Sequence, residues 1–271
     1  MSTDARRYGE DFALHGPSRT LTQVVAWVPE KARVLELGCA SGYVGKILIR
    51  EKHCLVTGVE VDPAAATEAV KAGLVVERGS LADAAFRSSI HGTFDVVIAA
   101  DVLEHLPDPE PVLDHVKRWI APGGLAIVAV PNVATWSVRF SLFFGGHFEY
   151  EETGIMDRTH LHFFTHDNFF ALLAKQGWTV KDTLVEGWEV PGLVALFGRW
   201  PLSYRRRVEA RGPVRGLFRR IAYWLAGAAV DIGQFLSRPF VRLLPNLCAP
   251  HVAVLIAPPA RDAVTPASPS G

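Results

Sequence analysis

The chain has 271 residues, room for one large hydrophobic core or two small ones, and 49% of them are hydrophobic against 21% charged, the balance of a globular protein. Its 28 basic and 28 acidic side chains cancel, so no chain-wide basic field exists to hold nucleic acid, and no such partner is expected. The three cysteines, Cys39, Cys54 and Cys248, form no CxxC pair and no metal-ligand spacing, which argues against a disulfide framework or a zinc site.

The opening MSTDARRYGEDF is polar and lacks the apolar core of a signal peptide. No stretch reaches the ~18–20 uncharged apolar residues of a spanning helix. A cytoplasmic location is the expectation. Residues 1–30 read as a helical lead-in, with Leu21, Val24, Val25 and Val28 at helical spacing. Short β-branched runs follow at Arg33–Leu37, Leu55–Glu60, Leu74–Glu77, Phe94–Ala99 and Leu125–Val130. Their near-continuous hydrophobicity is that of strands buried on both faces. Helix-length segments lie between them, notably Pro63–Ala72 and Pro109–Ile120, each opened by a proline that suits a first helical turn. This alternation predicts a parallel sheet with helices on both faces.

After Pro131 the pattern loosens. Residues 132–165 are aromatic and Gly-rich without a clean period, which predicts a loop or lid near a site. His166–Gln176 reads as a helix, Trp178–Val185 as a sixth strand and His251–Ala257 as a seventh. The expected organisation is one domain formed by residues 1–188 and 248–258, a helical insertion at 189–247, and a disordered Pro/Ala/Ser-rich tail at 259–271.

The run Val34-Leu35-Glu36-Leu37-Gly38-Cys39-Ala40-Ser41-Gly42-Tyr43 is a strand entering a tight small-residue turn and then a helix. Such a turn lets a ligand approach the backbone, and the helix start offers free N–H groups. A dinucleotide fingerprint needs G-x-G-x-x-G, but Ala40 stands at the second glycine and Gly38 and Gly42 enclose only three residues. No Lys-Ser/Thr pair follows to grip a phosphate. Glu60 ends the second strand, where a carboxylate can accept from both hydroxyls of a ribose, and Gly79-Ser80-Leu81 follows the third, where amides can read adenine.

In their order, VLELGCASG, GVEVDP at 58–63, FDVVIAADVLEHLPDP at 94–109 and Ala121-Pro122-Gly123-Gly124 resemble the motifs of class I S-adenosylmethionine (SAM)-dependent methyltransferases. The resemblance covers residues 33–132. It implies a Rossmann-like, seven-stranded, mostly parallel sheet whose last strand is antiparallel, with SAM across the ends of strands one, two and four. Glu36, Gly38, Cys39, Ala40 and Gly42 would then surround the methionine part, and Glu60 with Val61 the ribose. Ser80 and Leu81 would flank adenine, and Ala100 would lie by the sulfonium. Ala40 replaces the further glycine that many relatives carry.

A later block, Gly154-Ile155-Met156-Asp157-Arg158-Thr159-His160-Leu161-His162-Phe163-Phe164-Thr165, is similar to one found in bacterial methyltransferases of glycan and cell-envelope biosynthesis, often labelled by analogy with ubiquinone-pathway O-methyltransferases. This resemblance implies a hydroxyl acceptor on a sugar, glycan or envelope-related metabolite. An alcohol must lose its proton, and imidazole suits that work near neutral pH. His160 and His105 are the catalytic expectations; alternate residues face opposite ways, so His162 is not given the same work. A packing role for His160 beside an Asp157–Arg158 ion pair stays open. The histidines lack helical H-x₃-H spacing, and no metal is expected. No Asn/Asp-Pro-Pro-Tyr/Phe segment follows strand four, which argues against a base-directed enzyme. A non-catalytic SAM-binding or scaffold protein is the alternative, and a nucleotide-dependent oxidoreductase a more distant one.

Residues 199–220 hold eight arginines against one acid, Glu209. Leu217, Ile221, Trp224, Leu225, Ala228, Ile232, Phe235 and Leu236 then form a stripe on one helical face. The stripe can pack on the protein's own sheet, close a homodimer, or lie on an anionic membrane at the inner face.

Overall fold

The computed structural model describes residues 19–186 and 249–259. The 189–247 insertion with its stripe, Cys248, the start of the lead-in and nearly all of the 259–271 tail lie outside the described residues. In chain order come α1 (Arg19–Trp27), β1 (Arg33–Leu37), α2 (Tyr43–Lys52), β2 (Leu55–Glu60), α3 (Pro63–Lys71), β3 (Val75–Arg78), α4 (Ala84–Ser89) and β4 (Phe94–Ala100). A 3₁₀ turn (Leu103–His105) leads to α5 (Glu110–Trp119), β5 (Ile120–Pro131), α6 (Trp136–Gly145), α7 (His166–Lys175), β6 (Thr179–Glu186) and β7 (His251–Ala257).

The sheet runs β3-β2-β1-β4-β5-β7-β6. β1 to β5 are parallel, whereas β7 is antiparallel to both neighbours. The predicted Rossmann-like seven-stranded sheet is the observed one. Chain order reverses between β1 and β4, and in open α/β sheets the crevice at such a switch holds the ligand. β7 runs the other way, so its first residue, His251, pairs with Pro131 at the end of β5 and joins that same edge.

Two cores explain the apolar runs. Leu35, Leu37, Val97, Ala99, Ala126 and Val128 pack on one face with α5 and α7. Val34, Val96, Ile98 and Ile127 pack on the other with α1 and α2. Alternate residues serve opposite faces, so strands buried on both sides lose polar–apolar alternation. Local signals set the helix starts. Asp62 accepts from the Ala64 and Ala65 amides (2.8 and 2.9 Å) with Pro63 behind it, and Thr165 forms a capping box with Asn168.

Two expectations need correction. Ala121–Gly124, which a strand beginning at Leu125 leaves outside the sheet, lies within β5 as the irregular stretch where its pairing with β4 shifts register between Phe94 and Val96. Glycine is required there by contact, since a Cβ on Gly124 would sit 2.7 Å from the Asp95 carbonyl. Residues 132–165 are not all loop either. Trp136–Gly145 is helical, and its apolar residues are spread around the axis with Phe143 82% exposed, so it shows no single stripe.

Candidate active site

The glycine turn after β1 is built by strain and close packing. Gly38, Ala40 and Gly42 take positive φ of 64°, 48° and 77°. A Cβ on Gly38 would approach Val102 Cγ2 to 2.7 Å, and one on Gly42 would meet the Ala69 backbone at 2.9 Å. The two glycines thus let Val102, just beyond β4, and α3 close on the turn, a reason the sequence did not show. Gly38→Ala combines a left-handed backbone with a clash and is expected to cost on the order of 2–4 kcal/mol. Chemical denaturation of the variant measures it; an unchanged midpoint would mean that Val102 gives way freely.

Glu60 holds the turn to β2. One carboxylate oxygen accepts from the Ala40 amide (2.9 Å), and the other from Val61 (2.9 Å) and Asp62 (2.8 Å). Ala40 can therefore replace glycine without losing the turn: its amide is fixed by Glu60. The Val61 side chain is exposed beside it. Cys39 turns its thiol into the core against Gly58, so only its backbone faces the crevice edge. Burial first, then the Glu36 and Glu60 charges, raise that thiol's pKa, which leaves it protonated and inert.

Glu36 is buried and one of its oxygens has no hydrogen-bond partner. Gly45 makes room for it, since a Cβ there would stand 2.9 Å from that oxygen. Desolvation, with a smaller push from Glu60, raises its pKa from 4.5 to about 8 against a lowering bond from the Gly45 backbone. The folded state therefore holds a proton that the unfolded chain releases. Stability from that proton is complete below about pH 4.5 and is lost as pH rises through about 8. The ligand-free melting temperature is expected to fall across this window and Glu36→Gln to flatten the fall; parallel curves for the two proteins would remove Glu36 as the cause.

After β3, the Ser80 hydroxyl accepts from the Ala82 amide (3.2 Å), and Leu81 is buried with its carbonyl taken by Arg87 Nη1 at 2.6 Å. A Cβ on Gly79 would run into Phe86, which packs α4 under this loop. These contacts fix the loop after β3.

β4 ends at half-buried Ala100, and Asp101 next to it has a positive φ of 55°. Its carboxylate meets His251 Nε2 at 2.5 Å, while His251 Nδ1 lies 3.2 Å from Thr20 Oγ1 of α1. Burial works to raise the Asp101 pKa, but His251, His105 and His160 outweigh it, and the carboxyl is held below its ordinary value. Neither Asp101 nor His251 stood out in the sequence. Only the D-x-x-E-H spacing after β4 and the histidine opening the last strand could have flagged them.

The 154–165 block packs against the 3₁₀ turn. The Glu104 carbonyl accepts from the amides of Leu161 (2.7 Å) and His162 (3.0 Å). His105 and His160 meet edge to face, ring centroids 4.8 Å apart. His160 Nδ1 faces the Ile155 carbonyl (3.2 Å), and His105 Nδ1 faces the Thr159 carbonyl and hydroxyl (3.3 and 3.1 Å). Burial, then the neighbouring His105, lower the His160 pKa, favouring neutral imidazole. His162 points elsewhere, to the Pro107 carbonyl (3.1 Å) and the Phe164 ring. The expected Asp157–Arg158 ion pair is not formed. Arg158 pairs with Glu152, and buried Asp157 accepts from the Thr159 amide and hydroxyl (2.8 and 2.7 Å).

The comparisons with known proteins agree with this arrangement. Residues 8–183 match the family described as "Methyltransferase domain". The chain belongs to that family. This methyltransferase-family chain is 28% identical over 117 residues to a ubiquinone biosynthesis O-methyltransferase of Pseudomonas aeruginosa, a match covering 40% of the chain and 50% of the relative. It thus spans about half the length of the curated relatives it matches. In fold it resembles a SAM-dependent methyltransferase from Thermotoga maritima (TM-score 0.53, 21% identity, 69% of this chain and 83% of that one). It also resembles one from Geobacter sulfurreducens in complex with S-adenosyl-L-homocysteine (TM-score 0.51, 15% identity, 93% and 98%).

The cofactor is S-adenosylmethionine. The residues present fit it: the unpartnered Glu36 oxygen suits the methionine ammonium, and Glu60 Oε2, which accepts only from the Ala40 amide, keeps a lone pair for a ribose hydroxyl. Among the described residues no helix is long and apolar enough to cross a membrane.

Proposed function

We propose that this protein transfers the methyl group of S-adenosylmethionine to a hydroxyl oxygen of a sugar, glycan or envelope-related metabolite. The observation that carries the reading is the His105–His160 pair on the β4 side of the crevice, each ring fixed through Nδ1 with Nε2 left for the acceptor. When bound, the cofactor supplies an electrophilic methyl carbon on a sulfonium. The protein aligns the acceptor oxygen with it and handles the acceptor proton. A neutral imidazole held in one tautomer accepts a proton through its free nitrogen, and the lowered pKa of His160 favours that form.

The oxygen acceptor draws support from the name of the O-methyltransferase relatives, and the glycan or envelope class from the likeness of the 154–165 block. Peripheral contact with anionic lipid belongs to the same reading and rests on the arginines of 199–220, with exposed Leu142 and Phe143 adding apolar surface on α6. A homodimer closed by the 217–236 stripe is the other use of that segment.

Labelled cofactor incubated with the full chain and fractionated glycan, lipid and small-metabolite extracts tests the proposal. Label in an alkali-stable ether of a glycan, lipid-linked or small hydroxylated fraction is the expected result. Label on nitrogen would overturn the acceptor, and cofactor binding without any transfer would favour the scaffold alternative.

A further inference from the structure

The turn after β4 and the 154–165 block bring together three metal-ligand groups that the sequence keeps far apart. A carboxylate oxygen of Glu104 and one ring nitrogen each of His105 and His160 lie within 4.8 Å of one another. We propose that these three side chains bind a divalent first-row cation of the Mn²⁺ or Zn²⁺ type, whose open positions take the acceptor's hydroxyl oxygen.

Glu104 makes the first argument. Its side chain is 0% exposed, and neither carboxylate oxygen has a hydrogen-bond partner. A buried, unpaired carboxylate is too costly to persist without neutralisation. A proton would remove the charge yet leave an O–H donor and an acceptor still unsatisfied. A cation satisfies both needs.

The histidines make the second. In each ring Nδ1 is turned to a backbone carbonyl, Ile155 for His160 and Thr159 for His105. A metal-bound histidine carries that arrangement: the outer N–H donates to a carbonyl, and the tautomer leaves the Nε2 lone pair for the ion. Asp157 steadies the loop between them by accepting both Thr159 hydrogens.

Geometry and charge agree. Ligand atoms about 2.0–2.2 Å from an ion in tetrahedral geometry stand about 3.3–3.6 Å apart, so atoms now up to 4.8 Å apart close on the ion by side-chain rotation. Asp101, Glu104 and Asp157 face the cluster as acids, with His251 bonded to Asp101, and the surroundings favour a cation. Two nitrogens and one carboxylate leave open positions, the pattern of a catalytic site and not a closed structural one. The sequence concealed it, because Glu104 and His105 are adjacent while His160 comes from another segment.

How the cation is used rests on the oxygen-acceptor reading above; that it binds does not. A hydroxyl on the cation loses its proton to water more easily, since the ion stabilises the alkoxide. The oxygen lone pair then forms the O–CH₃ bond as the C–S bond breaks with its electron pair going to sulfur. The ion is unchanged, and with its Nε2 on the ion His160 acts on the acceptor proton as a ligand, in place of the direct proton transfer described above.

Chelator-stripped full-length protein titrated with Mn²⁺ and followed by the electron paramagnetic resonance of the free ion tests the site, with Zn²⁺ as competitor. One ion per chain is expected, with affinity at least tenfold weaker in Glu104→Gln and in His105→Ala. A normal cofactor-induced rise in melting temperature shows that each variant is folded. Uptake of neither ion up to millimolar concentration, or uptake equal in wild type and both folded variants, overturns the proposal. Labelled-cofactor assays with and without chelator separate the two readings: a bound ion with no transfer to oxygen overturns the acceptor alone. Undiminished transfer in chelator, from a chain shown to be ion-free, overturns the cation's role.

Discussion

His160→Ala is expected to lower methyl transfer by roughly 10²–10⁴-fold while leaving cofactor affinity near wild type, the range for losing a group that handles the acceptor proton. The side chain lies against His105 and the Ile155 carbonyl, beyond the end of β4 where the acceptor is proposed to bind, and none of its contacts reaches Glu36 or Glu60. The split between turnover and affinity is the diagnostic. His160 is also buried, so a structural role predicts something different: a lower melting temperature and surviving turnover in the molecules that remain folded. Single-turnover assays on protein whose fold has been checked by melting distinguish the two outcomes.

Glu60→Ala is expected to act on the opposite side of the crevice, weakening cofactor binding by about 1.5–3 kcal/mol, the range for hydrogen bonds to a charged group, or roughly 10–150-fold in Kd. The structure adds a second loss. Three backbone amides, of Ala40, Val61 and Asp62, are left without their acceptor, so the turn after β1 loosens even without ligand. Glu60→Gln keeps an acceptor oxygen and should lie between wild type and alanine in both affinity and stability. Calorimetry on both variants is the check, and unchanged affinity in folded Glu60→Ala would place the ribose elsewhere.

How much of this was legible in the sequence follows from where each signal resides. The strands were readable because both sheet faces are covered, so β1, β4 and β5 are almost unbroken runs of Val, Ile, Leu and Ala. Predicted ends differ from observed ones by a residue or so where capping is local, as at Asp62 and Thr165. The residues expected at the cofactor could be named because Glu36 and Glu60 lie on neighbouring parallel strands and Gly38 and Gly42 in the turn between them, within one β-α-β unit. Even there, Gly38 and Gly42 answer to Val102 and Ala69, contacts that no local pattern contains.

The acceptor side was only half readable. His105 and His160 could be named from their chemistry, but their partnership could not, because it depends on how the 154–165 block folds onto the Glu104 backbone. Glu104 looks in sequence like an ordinary surface acid beside a histidine. Its burial comes from tertiary packing. His251 was invisible for a related reason: only an antiparallel last strand turns its first residue toward the crevice.

That reversed strand also sets the order in which the molecule can become whole. Asp101 and His251 touch across 150 positions of chain, whereas the parts around the cofactor are gathered from neighbouring β-α-β units. Closing so long a loop adds little to the equilibrium cost, because the entropy grows only logarithmically, but such distant pairings form late in folding. On the ribosome the delay is stricter, since β7 has not been made when β1 to β4 emerge. The strands expected to hold the methyl donor are therefore in place before the Asp101–His251 contact that joins β7 to the end of β4 can form.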